Sequence, residues 1–230
     1  QACNNKVFID FLGIIRNLYL EQADGTATFQ SVILASVYDI KNMKLKMRPE
    51  NEHRYNSPWN IAVDFNVDMS FSSDAISDML IEYKYDYGLD FDVRWFAHQI
   101  FDFTSGYPYL VSRICQILDE VVWEENEFGD RNAAWSPSGF QRVIKLILES
   151  RCTLFDDINK NLDMYPDLDK KIRNILFNGR EYTYMLGNYT VQLGAILGYF
   201  VNKNGVVAIT NRIFEIYIRN MYSENHNNQS

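Results

Sequence analysis

The 230 residues carry 22 Lys and Arg against 30 Asp and Glu, a formal charge of -8, which excludes a chain drawn as a whole to nucleic acid or anionic lipid. With 47% hydrophobic and 15% aromatic residues, the composition is that of a folded protein and not of a disordered one. No apolar stretch approaches the roughly 18 residues that cross a bilayer, and QACNNK at the start is not a signal peptide, so the expected location is cytoplasmic.

In chain order, VFIDFLGIIRNLYLEQ (7–22) places Val7, Phe8, Phe11, Leu12, Ile15, Leu18 and Tyr19 on one broad helical face. Ala23-Asp24-Gly25 reads as a stop. SVILASVYDI (31–40) is β-branched and nearly all apolar, the profile of a strand covered on both faces. KNMKLKMR (41–48) then alternates Lys41, Lys44, Lys46 and Arg48 with other residues, as a phosphate contact or a lysine-guarded edge strand would. In NIAVDFNVDMSF (60–71), Ile61, Val63, Phe65, Val67 and Met69 alternate strictly, a strand signal.

From there the chain reads as helical. Ser72 or Ser73 can cap a helix through Ile76, Met79, Leu80 and Tyr83, and Asp92 another through Val93, Phe96, Ile100 and Phe103. Gly106-Tyr107-Pro108 breaks the periodicity, which resumes with Leu110, Val111, Ile114, Cys115, Leu118, Val121 and Val122. Ser136-Pro137 opens a further helix, and 167–177 another that ends at Asn178-Gly179. A helix over 191–201, an Asn-Gly turn within VNKNGVVAIT and a last amphipathic helix with Ile213, Ile216, Tyr217 and Met221 complete the pattern. That order over about 60 residues has the shape of a winged helix, and ENHNNQS reads as a frayed tail. Charge shifts with it: residues 1–164 hold 15 Lys/Arg against 25 Asp/Glu, residues 165–222 hold 7 against 4. The expected fold is therefore mixed α/β and mostly helical.

Few residues offer chemistry. Cys3, Cys115 and Cys152 are far apart, and the latter two lie in apolar helical patterns, as small buried thiols do. Only His53, His98 and His226 occur, which excludes a multi-histidine metal centre; His98 reads as a partly buried structural residue. GxSxG, HExxH and EF-hand patterns are missing, and Gly-Lys never occurs, so these residues hold no P-loop. The carboxylates of 64–130 read as a solvated acidic face.

The block SVILASVYDIKNMKLKMRPENEHRYNSPWNIAVDFNVDMSF, followed by TSGYPYLVSRIC, resembles bacterial AAA-like ATP-binding proteins, P-loop ATPases close to the archaeal-ATPase and STAND groups. The ending YMLGNYTVQLGAILGYFVNKNGVVAITNRIFEIYIRNMY resembles the C-terminal portion of the same family. The resemblance implies a remnant of a P-loop αβα core at 1–71 (one helix, about two strands), a helical lid at 72–164, a winged helix at 165–222 and a disordered tail at 223–230. Ser36 and Asp39 would end a sensor strand facing the γ-phosphate. Gly106, Tyr107 and Pro108 would form the lid turn near adenine and ribose, with Arg113 a phosphate contact or a surface ion-pair partner. The Walker motifs that hold ATP and Mg²⁺ would precede this chain, so the fragment is expected to bind no nucleotide tightly and to be inactive alone, because phosphoryl transfer rests on positioning and electrostatics. Its expected role is to close over ATP held by that core and signal to a protein partner. The alternative is a module without a nucleotide role, binding protein or DNA through the winged helix; no membrane partner is expected.

Overall fold

The computed structural model describes residues 5–22, 25, 27–33 and 68–227, which fall in two units, 1–67 and 68–230. In the first, α1 (Asn5–Glu21) forms where the sequence places a helix, and the Gly25 N–H closes a turn on the Gln22 carbonyl at 3.1 Å. Of the expected strand at 31–40, residues 31–33 carry no regular structure and the rest lies outside the described residues, as does 41–48. The expected strand at 60–71 is described only at 68–71, which is in no strand.

The second unit is mostly helical with one small antiparallel sheet. α2 (Ser73–Tyr87) starts where Ser72 Oγ accepts the Ala75 N–H at 3.0 Å and stops at Gly88, whose φ of 61° favours a residue without Cβ. α3 (Val93–Thr104) starts in the same way, with Asp92 accepting from Trp95 N at 3.0 Å. α4 (Pro108–Glu120) has proline in its first turn, where the missing N–H costs nothing. A 3-10 turn (Val122–Glu124) and a short α5 (Arg131–Ala134) lead to α6 (Pro137–Glu149), capped by Ser136. The connection is clasped to α6 by Arg142, which donates three hydrogen bonds of 2.7 to 3.1 Å to the Glu125 carboxylate and holds it below the usual carboxylate range.

α7 (Thr153–Met164) has no local start signal, since Cys152 at its cap makes no side-chain bond; it is held by burying Phe155, Ile158 and Leu162. α8 (Pro166–Asn178) ends at Gly179 in the left-handed region, as the Asn-Gly pair suggests.

α9 spans only Tyr189–Ile196, and the expected helix over 191–201 is thereby corrected. The chain reverses at Gly198 (φ 77°), the Tyr199 N–H returns to the Gly194 carbonyl at 2.7 Å, and Phe200–Lys203 becomes β1. Gly194 permits the reversal: a Cβ there would lie 2.1 Å from the Phe200 ring. β1 pairs with β2 (Val206–Ile209) across Asn204-Gly205, both with positive φ, in the register Phe200↔Ile209 to Lys203↔Val206. Thr183 bridges to Val206 on the open edge of β2. α10 (Arg212–Asn227) runs on past Met221, where the apolar spacing ends, through most of the segment read as a tail; 228–230 lie outside the described residues.

One core joins these elements. Buried side chains run in an unbroken cluster from Ile76 and Phe96 through Trp135 and Phe140 to Ile172, Ile213 and Tyr222. Trp135 stacks on Phe91 at 4.4 Å and meets Phe96 edge-on at 5.0 Å. Cys115 is packed against this core, and burial pushes its thiol up to about 12, so it is unreactive at neutral pH.

Candidate functional site

The turn between α3 and α4 is built by backbone fit. Ser105 and Gly106 both take left-handed backbone (φ 49° and 73°). Thr104 is fully buried; its Oγ1 donates to the Ile100 carbonyl at 2.6 Å and accepts from Gly106 N at 3.1 Å, which fixes the exit from α3. Phe71 N–H donates to the Gly106 carbonyl at 2.9 Å, and a Cβ on Gly106 would lie 2.0 Å from the Phe71 oxygen. The glycine is thus required twice, by its φ and by the approaching backbone.

Tyr107 is extended (φ -60°, ψ 115°), as the following proline dictates, and no side chain caps α4. Tyr107 is 39% exposed, and its ring meets the buried Phe214 ring of α10 edge-on at 6.3 Å. Beside it, Arg212 at the start of α10 ion-pairs with Asp102 at 2.9 Å and covers the Phe103 ring at 4.4 Å. The turn is therefore fastened on one side to Phe71 and on the other to the first turn of α10.

Of the sequence-predicted residues, Gly106, Tyr107 and Pro108 lie together in this turn. Arg113 is not brought into it: its guanidinium donates to Gln116 Oε1 at 2.8 Å, in a ladder that continues from Gln116 to Glu120 along α4. Ser36 and Asp39 lie outside the described residues. His98 is exposed on α3 rather than partly buried.

A cleft of about 490 Å³ lies elsewhere, between α7, α8 and α10, and includes Asn159, Asp163, Asp169, Arg173 and Tyr222. It shares no lining residue with the turn, so its size carries no weight for a site at Gly106. Three of its polar groups engage one another: Tyr222 donates to Asp169, which Arg173 pairs at 3.0 Å while covering the Tyr222 ring at 4.2 Å. Burial, then the bond to Asp169, raises the Tyr222 phenol above its ordinary value; burial and Asp119 do the same for Tyr83 on α2. A phenol raised in the folded state contributes stability that is complete below the unfolded pKa of about 10 and is lost as pH rises through the folded value. Alkaline unfolding followed by circular dichroism should therefore begin above about pH 10, and Tyr222→Phe should flatten that fall.

The residues missed from sequence, Phe71, Thr104, Arg212 and Phe214, have no motif. Only Thr104, a small polar residue at an apolar helix end, gave a local sign. Among the described residues no group of three or more His, Cys, Asp or Glu is placed to hold a metal ion, and no helix is long and apolar enough to cross a membrane. Compared with known protein families, curated proteins and solved structures, the chain matches none.

Proposed function

We propose that residues 68–227 are the lid and C-terminal winged helix of an AAA-like ATPase, which pass the state of a nucleotide held by sequence outside these 230 residues to a protein partner. The observation that supports this reading best is the double fastening of the Gly106 turn. Phe71, the last residue of the segment 60–71 read as a core strand, touches Gly106, and Tyr107 touches α10 through Phe214. A displacement at Phe71 has a packed route to the C-terminal helix.

The residues fit one end of ATP. Tyr107 offers an exposed ring for a base, and the uncapped α4 N-terminus offers N–H groups. They do not fit the phosphates or Mg²⁺, since Gly-Lys is missing and Arg113 is engaged along α4. The winged-helix assignment rests on the order α8, Thr183, α9, hairpin, α10.

The reading requires a GxxxxGK[ST] loop encoded before Gln1, and a locus without one sinks it. Phosphate release from the 230-residue chain with ATP and Mg²⁺ should stay at background. In the longer chain, Tyr107→Ala should weaken fluorescent-ATP binding about fivefold or more, the factor of one stacked base; unchanged affinity counts against the turn.

A second reading, a binding module with no nucleotide role, is favoured by exposed Met185, Leu186 and Tyr189 before and at the start of α9. Protein suits it better than DNA, because α9 (YTVQLGAI) has no Lys or Arg to meet a phosphate. A gel shift of the whole chain at low salt separates them.

A further inference from the structure

We propose that Asn204, at the tip of the β1–β2 hairpin, is the site at which this chain undergoes spontaneous deamidation, and that Asn202 sets its rate. The inference is independent of the nucleotide reading. An Asn-Gly peptide is the most exposed form of this chemistry, because glycine has no side chain to shield its backbone nitrogen. The Gly205 nitrogen, losing its proton to solvent base, attacks Asn204 Cγ; an N–Cγ bond forms, the Cγ–Nδ2 bond breaks, and ammonia leaves with a proton. Water then opens the succinimide to aspartate or isoaspartate. No electron transfer is involved.

Two Asn-Gly pairs lie among the described residues, and the fold treats them differently. Asn178 sits in the last turn of α8, its Nδ2 donates to Asn174 Oδ1 at 2.9 Å, and the Gly179 N–H donates to the Asn174 carbonyl. Side chain and nitrogen are both held. Asn204 is exposed with left-handed backbone (φ 54°), and its side-chain amide has no hydrogen bond among the described residues. The Gly205 carbonyl accepts the Tyr184 N–H at 2.8 Å, and the nitrogen itself is held by one bond, the Gly205 N–H donating to Asn202 Oδ1 at 2.8 Å. A proton engaged by an acceptor is harder to remove, so this bond guards the nucleophile. Conversion would place a new negative charge at the hairpin tip, and the isoaspartate form would lengthen the backbone inside a two-residue turn whose register is Lys203↔Val206.

The test is incubation of the whole chain at mildly alkaline pH, with tryptic peptides followed by mass spectrometry. The amide-to-acid mass change should appear first in NGVVAITNR (204–212), assigned by fragment ions to Asn204 and not Asn211, and only later in NILFNGR (174–180). Asn202→Ala should accelerate it about fivefold, the factor of one net hydrogen bond, and Asn202→Asp, which keeps an acceptor oxygen, should not. Hydrogen exchange at the Val207 amide, bonded to the Tyr182 carbonyl, reports whether β2 has simply come away from the chain at Tyr182. Earlier change at Asn178, no change at Asn204, an unaltered rate in Asn202→Ala, or acceleration together with lost protection at Val207 would each overturn the proposal.

Discussion

Gly106→Ala is expected to lower the stability of residues 68–227 by about 2–4 kcal/mol, measured as the shift of the urea midpoint against wild type. Two causes add. A non-glycine residue at φ 73° is strained, and the new Cβ would lie 2.0 Å from the Phe71 oxygen, backbone that cannot swing aside as a side-chain end can. Gly88→Ala separates them, because Gly88 has φ 61° but nothing within 4 Å of the position its Cβ would take, so only strain of about 1–2 kcal/mol applies. Equal losses at the two positions would mean that the contact with Phe71 does not matter. Under the proposed function the same change should also uncouple nucleotide from partner.

Phe214→Ala carries the other large effect, about 3–5 kcal/mol, because the ring is 4% exposed and its removal leaves a cavity that α10 cannot close. It meets Tyr107 and Tyr199, each edge-on at 6.3 Å, so the cavity would open between the turn and the hairpin. Tyr107→Ala alone should cost less, since that ring is partly exposed. A double-mutant cycle between the two should give a coupling of about 0.5–1.5 kcal/mol, and a coupling near zero would remove the link between turn and C-terminal helix.

Much of the helical pattern was legible because its signals are local. Ser72, Asp92 and Ser136 cap helices at the positions their side chains suggest, and Gly179 stops α8 as Asn-Gly predicts. What was not legible depends on distant partners. The end of α9 turns on Gly194 lying against Phe200, which an apolar run such as LGAILGYFV does not disclose. α7 is held by burial and lacks a cap, so no single residue announces it. The candidate site shows the same division. Gly106, Tyr107 and Pro108 mark a turn in the sequence, whereas Arg212 lies 110 residues beyond Asp102 and meets it only through the fold. Arg113, offered by the family resemblance as a phosphate contact or a surface ion-pair partner, donates to Gln116 on its own helix.

The single buried cluster that runs from Ile76 to Tyr222 also governs how the chain can be taken apart. Severing it ahead of Pro166, between α7 and α8, would part Phe155 from the Tyr217 ring stacked on it at 4.0 Å, Asn161 from Tyr199, and Tyr107 from Phe214. A fragment beginning near Pro166 is then a poor substitute for the C-terminal module, and its failure to bind anything would report misfolding rather than specificity. Protease should cleave such pieces quickly while sparing the same peptide bonds in the whole protein.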